Sequence, residues 1–171
     1  MAFDAYGAPQ FGLNDCKIAL WNATNSYGSA VDVYSVQLMG AVLQIVSATL
    51  TGDDTITATA SRAVGGEVRI RFGSVQIPAL EVLVGNTATS SVASPNAVKQ
   101  LKLVGGDNMP YFGIVGKALA EEGSGDFLIF FAKCRIMSDV TLATLEYGTF
   151  AIPELTLQAV DDAPYGICSV I

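Results

Sequence analysis

AVLQIVSATLT (residues 41–51), the link Gly52-Asp53-Asp54, and TITATASR (residues 55–62) read together as one long hairpin, and that reading decides the fold. The second arm alternates strictly. Thr55, Thr57, Thr59 and Ser61 fall on one face and Ile56, Ala58, Ala60 and Arg62 on the other, the period of a strand with two unlike faces. The first arm is rich in Val, Ile, Leu and Thr, and Gly-Asp-Asp supplies turn chemistry between the two. Outward from this hairpin, Gly65-Gly66 reads as a turn and EVRIRFGSV (residues 67–75) as the next strand, with Glu67, Arg69 and Arg71 opposed to Val68, Ile70 and Phe72. IPALEVLV (residues 77–84) is the one helix, with Pro78 in its first turn and Gly85 as its stop.

Strand patterns continue on both sides. Residues 16–21 and 31–38 precede the hairpin, behind an arm of residues 1–14 that carries Phe3, Tyr6 and Phe11. After the helix, NTATSSVASPN (residues 86–96) reads as a solvated loop. Residues 98–104 alternate, 111–119 and 126–136 form a second hairpin, and 149–160 and 165–170 close the chain. The expectation is a mainly β domain over residues 1–171, a β-sandwich or partly closed barrel with one short flanking helix, in which residues 41–63 form the long hairpin.

Composition narrows the function. The chain has 171 residues with 9 Lys+Arg against 16 Asp+Glu and no histidine, a net charge of -7. Without imidazole there is no Ser-His-Asp or Cys-His system and no ordinary general base near neutrality, so an enzyme is the least supported class. Affinity for a phosphate backbone rests on clustered Lys and Arg, which this acidic chain lacks. The carboxylate pairs Asp53-Asp54, Glu121-Glu122 and Asp161-Asp162 lie in turns without the spacing of a Ca²⁺ loop, and the double glycines do not form a phosphate-binding motif. No metal or cofactor is implied. Cys16, Cys134 and Cys168 are odd in number and lack CxxC spacing, which suits reduced thiols.

Hydrophobic residues make up 51% and charged residues 15%, with a mean hydropathy of +0.45. Residues 33–52 are long enough to span a bilayer, yet Gln37, Gln44, Ser35, Ser47, Thr49 and Thr51 interrupt them and no basic flank follows, so no membrane insertion is expected. The N-terminal residues have no basic region or apolar run, so they do not read as a secretory signal and a cytoplasmic site of synthesis is expected. The remaining outlet for the apolar surplus is surface buried against other subunits. Arg69 and Arg71, opposite Glu67 on an alternating strand, are candidates for cross-strand or intersubunit ion pairs.

Three segments together resemble the tail tube (major tail) proteins of long-tailed bacteriophages: GEVRIRFGSVQIPALEVLVG (residues 66–85), MPYFGIVGKALAEEGSGDFLIFFAKCRI (109–136) and EYGTFAIPELTLQAVDD (146–162). The likeness lies in their order and spacing and covers the C-terminal two thirds. It implies a fold of the phage tail tube and secretion tube type, and hexameric rings stacked into a hollow tube through which DNA is delivered. It implies that residues 41–63 join neighbouring hairpins in an inner β-wall, with Thr55, Thr57, Thr59 and Ser61 as lumen-face candidates and Asp53 and Asp54 at the rim. It also implies a place in the virion, with tail tip or baseplate, tape measure and tail terminator proteins as partners and the arm and residues 86–96 ordering on stacking. Two readings remain beside it: another ring-forming virion protein (tail terminator, connector or decoration protein), or the tube of a bacterial secretion or injection device. A carbohydrate-binding sandwich would need an exposed aromatic platform, for which Trp21 and scattered tyrosines give little support.

Overall fold

Alternation of the kind read in the sequence builds almost everything seen in a computed structural model of the chain, which describes residues 13, 15–23, 26–52, 55–90, 98–104, 108–119, 126–137, 139–140, 153–163 and 165–170. The architecture is mainly β and antiparallel. The strands are β1 (Asp15–Ala23), β2 (Ser26–Tyr27), β3 (Val31–Asp32), β4 (Val36–Gly52) and β5 (Thr55–Phe72). After helix α1 (Ile77–Val84) come β6 (Thr89–Ser90), β7 (Lys99–Gln100), β8 (Phe112–Ala118), β9 (Phe127–Ile136), β10 (Glu154–Ala159) and β11 (Ser169–Val170). One nine-stranded sheet runs in the order β2-β1-β8-β9-β10-β5-β4, with β3 on β1 and β11 on β9, while β6 and β7 form a separate pair.

The sheet curls over its own core. Cys16 and Ile18, Val68 and Ile70, Phe112 and Ile114, Phe131 and Cys134, and Leu155 and Leu157 bury one face of five strands together. Leu80 and Leu83 of α1 join the same cluster. Met39 of β4 also packs there, and a Cβ on Gly116 of β8 would stand 2.5 Å from its Sδ, so strands four places apart in the sheet meet across the core. Among the described residues no ladder closes the sheet into a barrel and no second large sheet packs upon it.

The helix spans the residues expected. Pro78 occupies its first turn, and Gly85 ends it at φ 78°, donating its N–H to the Glu81 carbonyl at 2.8 Å. No side chain caps its start. Gln76 instead donates from Nε2 to the Tyr34 carbonyl at 2.6 Å and accepts from the Tyr34 N–H at 3.1 Å, tying α1 to the turn before β4. That turn corrects the strand expected over residues 31–38. Ser35 takes a left-handed φ of 58° and its carbonyl accepts the Gly73 N–H at 2.6 Å, so pairing breaks at Tyr34-Ser35.

Gly65-Gly66 is a second correction, since these residues lie inside β5 and make no turn. Both are buried where the hairpin enters the sheet: a Cβ on Gly65 would stand 2.7 Å from Gln158 Nε2, and one on Gly66 3.2 Å from Ile167 Cγ2. Glycine here eases close approach of the Gln158 and Ile167 side chains and makes no change of direction. Of residues 98–104 the described ladder takes in Lys99–Gln100, with Thr89–Ser90 from the expected loop; of residues 165–170 it takes in Ser169–Val170, while Gly166 forms an isolated antiparallel bridge with Asp162. The hairpin of residues 111–136 is seen as β8 and β9, its link 120–125 lying outside the described residues. Residues 1–12, 14, 91–97 and 141–152 also lie outside them.

Cys16 and Cys134 are buried free thiols, and burial pushes both up to about 12, which leaves them protonated at neutral pH. No helix of the described residues is long and apolar enough to cross a membrane.

Candidate assembly surface

The β4–β5 ladder runs from Val36–Phe72 to Gly52–Thr55, but only its first part belongs to the sheet. β10 pairs with β5 over residues 66–71, and β4 is the last strand of the sheet order. From Gln44 and Gly65 outward, the two strands therefore have only each other among the described residues. At roughly 3.4 Å per residue the ribbon projects about 30 Å. Among the described residues both of its long edges present backbone N–H and C=O groups without a ladder partner, and a lone two-stranded ribbon is at best marginally stable in water.

Ladder partners share a face, so the register sorts the ribbon's chemistry. Ser47 faces out with Ser61, and Thr49 with Thr59. On the other side Val46 pairs with Arg62, Ala48 with Ala60 and Leu50 with Ala58. One distal face thus carries a hydroxyl centre between the pairs Ile45–Ala63 and Thr51–Ile56, and the other is apolar and broken by a single cation. All of these side chains are exposed, and Val42, Ile45, Leu50 and Ile56 each leave 62–68% of their surface in solvent. Eight of the eighteen exposed large apolar side chains among the described residues belong to this ribbon and its base. Covering a Val, Leu or Ile fully contributes about 1.5–3 kcal/mol each, so the subunit leaves a large driving force unspent.

Two bulges set this arrangement. Val64 is an extra residue between the pairs Ile45–Ala63 and Gln44–Gly65, and Thr57 is another between Leu50–Ala58 and Thr51–Ile56. The Val64 bulge reverses the parity of β5. Through the β4 register, Thr59 and Ser61 follow the side of Val68 and Ile70, while Arg62 follows that of Glu67, Arg69 and Arg71. Of the lumen-face candidates, Thr59 and Ser61 are therefore together on the hydroxyl face with Ser47 and Thr49. Thr55 pairs with Gly52 at the end of the ladder, and Asp53 and Asp54 lie outside the described residues. The alternation of β5 revealed the threonines and Ser61, but nothing in one strand could reveal the partners from β4.

The ion-pair candidates are paired within the chain. Arg71 Nη2 lies 2.9 Å from Glu154 Oε2 across the β5–β10 ladder, and Arg69 Nε 2.7 Å from Glu67 Oε1 along β5. Both pairs are solvent-exposed and neutralise this part of the sheet more than they stabilise it.

Sequence reading missed a second cluster entirely. Lys133 Nζ of β9 sits 4.0 Å from the centroid of the Trp21 ring and 4.7 Å from that of Tyr111, and the Arg135 guanidinium 5.4 Å from Tyr111. The two rings meet edge to face with centroids 5.9 Å apart. Trp21 Nε1 donates to Asp162 Oδ2 at 3.0 Å, and Asp162 is buried whereas its neighbour Asp161 is exposed, so this carboxylate pair is split between two environments. Lys133 covers the indole, so Trp21 offers no bare platform for a sugar ring.

Beside the cluster the Tyr27 ring lies across Gly113, where a Cβ would stand 2.6 Å from Tyr27 Cε1, and its hydroxyl donates to the Ala132 carbonyl at 3.0 Å. Burial, assisted by the Asp162 charge, pushes this phenol up to about 12. No group of three or more acidic or cysteine side chains among the described residues could hold a metal ion. No protein-family model matches the chain, and no curated protein matches it.

Proposed function

We propose that this chain is a virion structural subunit that assembles with its own copies into stacked rings, forming the hollow tail tube of a long-tailed phage through which DNA is delivered. The observation that carries this reading is the β4–β5 ribbon, with two open edges and two chemically different faces. Ribbons from neighbouring copies add edge to edge, as exposed strands do, and closing them into a ring satisfies the backbone groups that a single subunit leaves to water. The apolar face of Val46, Ala48, Leu50, Ala58 and Ala60 is covered by assembly. The hydroxyl face of Ser47, Thr49, Thr59 and Ser61 lines the channel.

Sixteen acidic against nine basic side chains suit such a conduit, because a wall without clustered Lys and Arg offers DNA no counterion-releasing contacts to hold it. Head-to-tail contacts, unlike isologous ones, continue without limit along a tube. The ring number of six and the partners at the tube's ends (tail tip or baseplate, tape measure and terminator) follow from the resemblance to tail tube proteins. Negative-stain electron microscopy of the purified chain at rising concentration is expected to show hollow tubes of uniform width. Closed rings that never stack, or monomers at every concentration, would contradict a tube.

A further inference from the structure

We propose that Trp21, Tyr111, Lys133 and Arg135 form the docking site for the Asp53-Asp54 end of the β4–β5 ribbon of a second copy; this deepens the tube reading and rests on it. All nine basic side chains of the chain lie among the described residues. Four of them, Lys17, Arg69, Arg71 and Lys117, are held in salt bridges with Asp32, Glu67, Glu154 and Asp126. Lys133 and Arg135 stand side by side without a salt bridge to any described carboxylate, yet both are already oriented over aromatic rings. Two immobilised cations present their charge at little further cost in side-chain entropy. Trp, Tyr and Arg are also the side chains that most often dominate binding energy at interfaces.

The ribbon end complements this patch in charge, number and flanks. Asp53 and Asp54 stand in the sequence between the paired residues Gly52 and Thr55, two carboxylates for two cations. Leu50 and Ile56 flank them, 64% and 68% exposed. Next to the patch lies a cavity of about 230 Å³ whose lining includes Ala19, Tyr27, Gly113, Val115 and Phe130. It is continuous with the patch, since Tyr27 pairs with Trp21 and Ala19 alternates with it on β1. Leu50 and Ile56 face opposite ways in the ladder, so the cavity takes Leu50 while the cations take the carboxylates. A ribbon projecting about 30 Å from its own sheet meets such a patch on another copy, and the contact is head-to-tail, so it propagates.

Carbodiimide cross-linking of tubes assembled from mixed light and isotope-labelled chains tests this directly. Mass spectrometry is expected to find Lys133 joined to Asp53 or Asp54, with one partner from each chain. Lys133→Glu with Arg135→Glu should raise the concentration needed for assembly about tenfold or more, and adding Asp53→Lys with Asp54→Lys should restore it. Asp53→Asn with Asp54→Asn, which leaves every described core residue in place, should weaken assembly in the same direction. Wild-type tubes without that cross-link, a reversed-charge variant assembling like wild type, a folded charge swap that fails to restore assembly, or an unaffected Asn variant would each overturn the docking site and leave the tube reading standing. Absence of wild-type tubes would overturn the tube reading instead.

Discussion

Leu50→Asp is expected to leave the subunit folded and to suppress the proposed assembly. Leu50 lies on the apolar face of the ribbon beside Ala58 and Ala48, 64% exposed and outside the core cluster, so its replacement removes little that holds the subunit together. In the proposed wall that face is covered. A carboxylate buried there without a partner costs several kcal/mol, against about 1.4 kcal/mol for each tenfold change in an equilibrium constant. The concentration needed for assembly therefore rises by about a hundredfold or more, measured by light scattering, while the near-ultraviolet circular dichroism of the subunit is unchanged. Thr59→Asp, on the hydroxyl face, keeps its charge in water and raises that concentration much less. Equal effects of the two substitutions would contradict the assignment of faces.

Phe131→Ala is the largest expected loss in the subunit itself. Phe131 is 1% exposed at the centre of β9, opposite Ile114, among the largest fully buried side chains of the cluster. Truncating a buried Phe removes its transfer free energy and leaves a cavity, together about 3–5 kcal/mol. For a chain of this length that corresponds to a fall in Tm of about 10 °C, measurable by scanning calorimetry of the unassembled protein. Leu50→Ala, by contrast, should move the subunit's Tm by no more than about 2 °C because its side chain is already in water. A fall of similar size for both variants would place the ribbon inside the cooperative core, contrary to the burial pattern.

Local signals in the sequence were sufficient wherever one element decides its own structure. Pro78 and Gly85 bound α1 because a proline early in a helix and a glycine after it act on their own backbone. The β8–β9 hairpin and the strand character of residues 55–62 and 67–72 were legible for the same reason. Gly65-Gly66 looked like a turn because paired glycines usually make one; only the close approach of Gln158 and Ile167, ninety or more positions further along, gives these glycines another role. Strand pairing at residues 31–38 failed where Ser35 took a left-handed conformation that its composition did not announce.

The candidate surface divides in the same way. The hydroxyl run of β5 was visible from its period of two, but its companions Ser47 and Thr49, and the reversal at Val64, depend on a register that two strands set jointly. Trp21, Tyr111, Lys133 and Arg135 come together from β1, the residue before β8, and β9, and no spacing in the chain connects them. A likeness in the order of segments gave the tube reading its direction. The unpaired ribbon supports it with a physical reason for self-association.

Hydrogen exchange of the ribbon backbone, compared below and above the concentration at which the chain assembles, is the most direct measurement of that reason. Residues 45–52 of β4 and 55–64 of β5 carry the open edges, so their outward amides are expected to exchange rapidly in the isolated subunit and to become strongly protected on assembly. Assembled particles in which these amides still exchange as they do in the subunit would show that copies associate through some other surface, and the ribbon would not be the wall of a tube.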